Sequence, residues 1–393
     1  MRRLFKFGAG LLVAVLVIFG GWEYAKHQLK PAAINSPKPV LSQKVTLPPK
    51  LEGSYLVSGD VFWGRGIDYY AQKSSLKYDW PFSRLNEFHP NNYDGWISDM
   101  ECPVTDIKVP YQVQVDSLIF SCSPKYLASA SKYFSAMTIA NNHTSNTGAA
   151  GFADTQKYLN AAGIQAFGHY DLSEIDDLCE VVSLNVNVDS QKKKLPIVMC
   201  GYHWLSRQPT DGELDQITKY SKYFPVWVFP HGGTEYATHS NPSQQELYHK
   251  FIDMGADVVF GDHPHVVQET EAYKGKLIVY DLGNLIFDQW FNDEVTKSLI
   301  VNTRISAAID NNLKKYLDMA DNCSVFNDVC LQTAQNENLL AYKLTYTYDI
   351  IGGERSNADM NDRLTHPASA ATKAWLVKRT NWAQTLSGLQ VTH

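Results

Sequence analysis

The chain is short of charge and carries no excess of the positive sign. Charged residues make up 19% of its 393 residues, and acidic side chains outnumber basic ones to leave a net charge of -6. Nucleic-acid binding needs a clustered Lys/Arg face to meet phosphates, so this balance argues against that class of partner. Cysteine is sparse too, with six in the chain and none before Cys102. That removes a lipoprotein attachment point near the N-terminus, and a nucleophilic Ser or Cys mechanism finds little support. No short internal repeat is apparent. Hydrophobic residues at 44% read as globular rather than disordered.

The longest uncharged apolar run is Phe7 to Trp22, preceded by Arg2, Arg3 and Lys6. Its length falls between a signal-peptide core and a full membrane span. The N-terminal positive charge favours retaining that end in the cytoplasm and exporting the remainder. With no small-x-small cleavage site after the run, an uncleaved signal anchor over residues 1–30 is favoured over a cleaved signal peptide. The expectation is therefore a single-pass protein of the cytoplasmic membrane, with its C-terminal domain outside. Residues 31–50 hold Pro31, Pro37, Pro39, Pro48 and Pro49 and few large apolar side chains. They cannot build a core and read as a stalk. Export permits disulfides. Cys323 and Cys330 flank a short polar stretch and make the best pair, whereas Cys200, inside the apolar run Leu195 to Tyr202, reads as a buried strand thiol. Cys102 reads as a small packed residue.

Beyond the stalk, short apolar runs end repeatedly in Gly, Asn, Asp or His. Tyr55 to Ser58 runs into Gly59-Asp60, and Ala136 to Ala140 into Asn141-Asn142-His143. Val226 to Phe229 leads to His231, Asp257 to Phe260 leads to Gly261-Asp262-His263-Pro264-His265, and Leu277 to Tyr280 leads to Asp281-Leu282-Gly283-Asn284. Their length and their β-branched and aromatic content predict buried strands. Phe152 to Ala162, closed by Gly163, and Ser243 to Met254, closed by Gly255, have helical patterns. Strand, polar loop, helix, strand predicts an α/β layer architecture, in which ligands bind beyond the carboxyl ends of the strands. Lys343 to Ile351 alternates like a further strand, and Ala368 to Leu386 carries a helical pattern.

The residues at those ends are Asp60, Glu101, Asn142, His143, His231, His263 and His265. Carboxylates, imidazoles and an amide oxygen without thiolate suit a divalent ion such as Mn, Fe or Zn. In an extended segment His263 and His265 would share a face and address one centre. Each piece has a plainer reading: Gly-Asp is an ordinary turn pair, Asn142 and His143 can cap a helix, and loop histidines are often solvated. Placement of all of them at successive strand ends is harder to obtain by chance.

These segments occur in a definite order. Gly59-Asp60-Val61-Phe62-Trp63-Gly64-Arg65 is followed by Met100-Glu101-Cys102-Pro103 and by Ala140-Asn141-Asn142-His143. Then come His231-Gly232-Gly233-Thr234-Glu235-Tyr236, Gly261-Asp262-His263-Pro264-His265-Val266-Val267-Gln268 and Leu282-Gly283-Asn284-Leu285-Ile286-Phe287-Asp288-Gln289. Together they resemble the CapA family, associated with poly-γ-glutamate capsule synthesis or export, over residues 52 to 290. The resemblance implies a four-layer αββα sandwich similar to calcineurin-like metallophosphoesterases, spanning residues 51–302, with 303–393 completing the domain or extending it. It implies that Asp60 opens a dimetal site and that Glu101 bridges it. Asn142, His231, His263 and His265 would be further ligands, and His143 a protonated imidazole that steadies charge or protonates a leaving oxygen. Arg65 would clamp an anion, and Arg65 and Asn284 would contact substrate. Phe62 stands where the phosphoesterase signature Asp-x-His has a ligand histidine, so one metal site lacks a ligand, as is usual in CapA-like proteins; Asn146 stands where the family usually has an aspartate, and Gly232 where a tryptophan is common.

Three functions follow as expectations. One is a membrane-anchored accessory that holds or processes an anionic envelope polymer, alongside other capsule-synthesis membrane proteins. Another is a metal-dependent hydrolase of a phosphoester or a polymer amide, using the same residues. The third is a catalytically degenerate binding scaffold.

Overall fold

The run Tyr55 to Ser58 lies inside a much longer strand, β1 (Lys50–Val61). In the computed structural model, which describes residues 49–389 apart from 324 and 327, this strand is the hub of the sheet. Its side chains alternate: Tyr55 and Val57 enter one apolar cluster and Leu56 enters another, as the period of two requires. Burial on both faces explains why the run is apolar without interruption.

On one edge of β1 lie the parallel strands β2 (Gly95–Met100), β3 (Phe134–Thr138) and β4 (Gln165–Phe167). A second group runs β5 (Cys179–Val188), β6 (Gln191–His203), β7 (Val226–His231), β8 (Val258–Phe260), then β10 (Lys276–Val279) and β9 (Thr270–Tyr273). A two-residue strand, β11 (Lys297–Ser298), precedes β12 (Val301–Ala308) and β13 (Thr345–Ile350). These last two add antiparallel to the other edge of β1. The remaining short strands, β14 (Gly353–Glu354) and β15 (His366–Pro367), form a small separate sheet with β11.

The large sheet is thus two leaves, β4-β3-β2-β1-β12-β13 and β5-β6-β7-β8-β10-β9, joined where Leu51 and Glu52 pair with Val188 and Asn187. The leaves face one another. Tyr55 meets Trp227 with ring centroids 6.0 Å apart, and Phe167 meets Phe229 at 5.1 Å. Helices cover the outer faces. Ile67 and Ala71 of helix Arg65–Lys73 and Leu159 of helix Gly148–Ala161 pack with Trp96, Phe134 and Met137 of the first leaf. Leu214 and Ile217 of helix Asp211–Ser221 and Leu247 and Phe251 of helix Pro242–Asp253 pack against the second. The result is the layered α/β architecture read from the sequence. The helix stops also follow their residues: Gly163 and Gly255 adopt positive φ of 81° and 120° just past the ends, where a side chain would be strained.

The described residues form one compact unit, and the described segment after residue 302 is built into it. Besides β12 and β13, the helices Ala370–Arg379 and Trp382–Gly388 meet β9, where the Thr270 amide and hydroxyl both donate to the Thr380 carbonyl, at 2.9 and 2.8 Å. The continuous helical pattern from Ala368 to Leu386 breaks at Asn381, whose φ of 53° is left-handed. No helix among the described residues is long and apolar enough to cross a membrane. The anchor expected over 1–30, and the stalk up to residue 48, lie outside the described residues.

All six cysteines are paired. Cys323–Cys330 is bonded as the spacing suggested, but Cys200 and Cys102 are not the buried thiols expected. Cys200 is bonded to Cys179, directly opposite it in the antiparallel β5–β6 ladder. Cys102 is bonded to Cys122 and closes the base of the excursion from 103 to 121. Both pairs depend on register and chain return, which residue spacing does not reveal.

Candidate metal centre

The site begins where β1 can run hard against another backbone. A Cβ on Gly59 would lie 2.0 Å from the Gly283 carbonyl oxygen, so only glycine lets β1 pass the loop after β10. Asp60 follows, fully buried, with its Oδ2 2.9 Å from His265 Nδ1. Asp99, near the end of β2, and Glu101, just past it, are two residues apart on an extended segment and project to the same face; both are fully buried. After β3, the Asn141 side-chain oxygen accepts the backbone amides of His143 and Thr144, at 3.0 and 2.9 Å. That side-chain turn sets Asn142 and His143 beside the carboxylates. Asn142 Oδ1 is 2.8 Å from His231 Nε2, and His143 Nε2 is 3.8 Å from Glu101 Oε1.

His263 and His265 do not share a face of an extended segment. Both have positive φ, 105° and 61°, a costly conformation for non-glycine residues that tends to mark functional sites. The turn splits them. His263 approaches His231, with ring centroids 5.0 Å apart, while His265 turns to Asp60. Two groups of potential ligands result, Glu101–His231–His263 and Asp60–Glu101–His265, each with ligand atoms within 4.8 Å of one another and every residue buried. Glu101 belongs to both, as a bridging carboxylate would. Asp60, Asp99 and His231 form a third such group.

These residues fit a divalent cation. Asp60 Oδ1, both Glu101 oxygens and His263 Nδ1 are buried with no hydrogen-bond partner, an arrangement that is costly unless something binds them. Burial, reinforced for both by neighbouring carboxylates, holds Asp60 and Glu101 well above the usual carboxylate range. Burial also pushes Asp99 up to about 7, and the imidazoles of His143 and His265 down to about 4. A pocket that resists charge of either sign on its own side chains is one that a dication would neutralise. The donors are oxygen and nitrogen only, so thiolate-type metal chemistry is not what they offer.

Around this core the expected substrate residues have other engagements. Arg65 makes a bidentate pair with Asp288, at 3.0 and 2.6 Å, and its guanidinium lies 4.4 Å from the Phe120 ring centroid. Asn284 is fully buried, with Oδ1 3.0 Å from His265 Nδ1, so it supports that imidazole. Arg355, also buried, donates to the Asn284 carbonyl at 2.8 Å and to Val295 at 2.6 Å, and so fixes the loop that carries Asn284.

The capsule-synthesis family described as "Bacterial capsule synthesis protein PGA_cap" matches residues 54–289, a span that includes every ligand candidate above. This chain belongs to that family. It is 25% identical over 313 residues to the capsule biosynthesis protein CapA of Bacillus anthracis, spanning 74% of this chain and 70% of that one. It is 26% identical over 278 residues to the PGA biosynthesis protein CapA of Bacillus subtilis (strain 168), spanning 65% and 67%. A probable polyglutamine synthesis accessory protein of Mycobacterium tuberculosis is 26% identical over 172 residues, spanning 38% and 44%. A crystal structure from Thermus thermophilus overlays 63% of this chain and 93% of its own at a TM-score of 0.35 and 8% identity, a likeness too low to bear on the fold.

The departures from the phosphoesterase signature and from the usual family residues have structural counterparts. Phe62 is fully buried and stacks on Phe287 with centroids 4.8 Å apart; with Phe120 it forms an aromatic wall for Arg65 in place of a ligand. Phe120 in turn stacks on His143 at 4.1 Å. Asn146 keeps the orienting role of an aspartate without its charge. Its Oδ1 accepts the Phe120 amide at 2.8 Å and stands 2.9 Å from His143 Nδ1. The space beside Gly232 is filled by Trp204, whose Cε2 would be 2.5 Å from a Cβ there. Sequence reading missed Asp99, Asp262, Asp281 and Arg355. The period of two along β2 pointed to Asp99 through Glu101, and Asp262 and Asp281 sit inside quoted strand-end motifs. For Arg355 no local signal exists.

Proposed function

We propose that this protein serves the synthesis or export of a poly-γ-glutamate-like capsule polymer through a divalent-metal centre built on Asp60, Glu101, His231, His263 and His265. The observation that carries this reading is the pair of buried ligand groups sharing Glu101, in a member of a capsule-synthesis family. The names of the Bacillus relatives, a capsule and a PGA biosynthesis protein, support the polymer system. The oxygen and nitrogen donor set supports Mn, Fe or Zn as the metal. The apolar run Phe7 to Trp22 supports membrane anchoring with the domain outside, beside other membrane proteins of the same system.

A metal-dependent hydrolase is the second reading, and the placement of His143 favours it. A bound cation of this kind polarises a substrate oxygen and acidifies a water. His143 Nδ1 faces the Asn146 oxygen, so its proton belongs on that nitrogen and the Nε2 lone pair faces the Glu101 side of the site. Burial holds its affinity for a second proton down to about 4. Near neutral pH it therefore acts from the neutral form, taking a proton first and handing it on afterwards, rather than entering as the imidazolium the resemblance implied. The Phe120 ring keeps the imidazole plane fixed. Arg65 carries a charge largely offset by Asp288, so its pull on an anionic substrate is moderate.

The test is metal content of the purified full chain, with Mn²⁺ and Zn²⁺ titrations of wild type and His265→Ala. Release of product from a generic phosphoester and from poly-γ-glutamate is measured on the same samples. Stoichiometric metal that falls in the variant supports the centre, and turnover lost in parallel supports the hydrolase. A folded wild type that takes up neither ion would overturn both readings of the site.

A further inference from the structure

Among the buried groups that the proposed chemistry leaves unused, Asp99 has the most fully determined surroundings. Its Oδ1 accepts the side-chain amide of Asn141 at 2.8 Å, and its Oδ2 lies 2.9 Å from His231 Nδ1. The second approach is too bent to satisfy a strict hydrogen-bond angle, yet neither atom has another partner. Asn141 itself has no freedom to rotate its amide. Its oxygen already accepts the amides of His143 and Thr144, and its nitrogen also donates to the Met100 carbonyl at 2.9 Å. A reversed amide would set donor against donor on one side and acceptor against acceptor on the other.

The consequence runs outward from the backbone. Two main-chain amides fix the orientation of Asn141, and Asn141 requires an acceptor at Asp99 Oδ1. Once ionised, as it is above the value of about 7 to which burial raises it, Asp99 has only acceptor capacity left for His231 Nδ1. A neutral imidazole has one proton to place, and this arrangement places it on Nδ1. The lone pair is left on Nε2, which lies 3.9 Å from Glu101 Oε1 and 2.8 Å from Asn142 Oδ1. The Asn142 contact would equally suit an Nε2–H donor, so Asp99 and Asn142 compete for the one proton; with it on Nδ1, Nε2 and Asn142 Oδ1 have the spacing of neighbouring ligands on one cation, each about 2.1 Å from it.

We propose that Asp99, locked by Asn141, is a positioning residue that sets the tautomer of His231 and turns its Nε2 toward the metal centre. This rests on the metal-centre reading given above. It also assigns the group Asp60–Asp99–His231 to support rather than to an ion of its own, because an ion there would need Nδ1 unprotonated. Carboxylate-to-imidazole contacts of this type tune metal ligands generally. Here the lock makes a specific demand. In Asp99→Asn the new side-chain oxygen must serve Asn141, so its NH₂ faces His231 Nδ1, and the proton moves to Nε2, where the ligand lone pair belongs.

Two measurements on the full chain test this. The first is the two-bond ¹H–¹⁵N spectrum of metal-free protein labelled at histidine, recorded at about pH 8.5 so that Asp99 is ionised, with His231 assigned by its loss in His231→Gln. The expected pattern is protonated Nδ1 in wild type and protonated Nε2 in Asp99→Asn. The second is Mn²⁺ and Zn²⁺ affinity, expected to fall about 100-fold in Asp99→Asn, close to the loss in His231→Gln, with thermal unfolding showing both variants folded. Wild type protonated at Nε2, or an Asp99→Asn affinity within about twofold of wild type, would overturn the assignment. If Asp99→Asn does not fold, the wild-type spectrum decides the matter alone. Wild type that binds no metal but shows the Nδ1 proton would sink the metal reading and leave the tautomer lock standing.

Discussion

Replacing Gly59 by alanine adds one methyl group at the point where β1 crosses the loop carrying Asn284, and the geometry gives its effect a magnitude. The new Cβ would lie 2.0 Å from the Gly283 carbonyl oxygen and 2.7 Å from Asp262 Oδ1. Ordinary contact starts near 3.4 Å, so one backbone must retreat by roughly 1.4 Å. That retreat pulls on three bonds holding the two segments together. The amides of Leu285 and Ile286 donate to the Asp60 carbonyl at 2.9 and 3.1 Å, and the Phe62 amide donates to the Ile286 carbonyl at 2.7 Å. Overpacking costs about 1–3 kcal/mol, and weakening buried hydrogen bonds adds about 1 kcal/mol apiece at most. A loss of about 3–4 kcal/mol is expected, with Asp60 displaced and metal affinity reduced. Gly212 provides the control. In the first turn of helix Asp211–Ser221 it has nothing within 4 Å of a Cβ, so Gly212→Ala should be neutral or stabilise by up to about 1 kcal/mol. Urea unfolding of the full chain measures both. If the two variants unfold within about 0.5 kcal/mol of each other, the close approach of β1 to Gly283 is wrong.

Two further perturbations probe the protein away from the metal centre. Burial, together with the nearby Asp177 and Asp328 carboxylates, pushes Glu180 up to about 8 from an ordinary 4.5, although the Phe326 amide and Lys219 oppose the shift. The folded state then holds a proton that the unfolded chain releases. The stability from this group is complete below about pH 4.5 and is lost as pH rises to about 8, at up to about 1.4 kcal/mol per pH unit. Glu180→Gln should flatten that part of a stability profile between pH 5 and 8, and an unchanged slope would contradict the assignment. Cys102–Cys122 spans a sequence separation of 20. Cys122→Ser together with Cys102→Ser should therefore lower stability by about 3 kcal/mol and loosen Phe120 from His143. Partial proteolysis between 103 and 121 reports the loosening, and equal cleavage rates in wild type and variant would show that the disulfide does not hold this excursion.

The sequence by itself determined the layer architecture and most of the site. Short apolar runs, their polar ends and the glycines after helices are local signals, and the forces behind them act within a few residues. The period of two, the left-handed freedom of Gly163 and Gly255, and a preference for N and O donors need no distant partner. Hence Asp60, Glu101, Asn142, His143, His231, His263 and His265 were all legible as strand-end residues, and the structure gathers them at one end of the sheet. Only the tertiary structure decided how they divide. The turn at Pro264 sends His263 and His265 to different partners, which a strand-like reading of His-Pro-His could not show. Register across β5 and β6 pairs Cys179 with Cys200, and the return of the chain from 103 to 121 pairs Cys102 with Cys122. Arg355, from beyond the matched segment, closes over the Asn284 loop because a buried guanidinium needs carbonyl acceptors and that loop supplies them. Asp99 acquires its meaning only from Asn141, whose hydrogen bonds are saturated by atoms that the fold brings to it. Local composition tells which chemistry a residue can offer, while packing and hydrogen-bond closure between distant segments decide which of its atoms remain free to offer it.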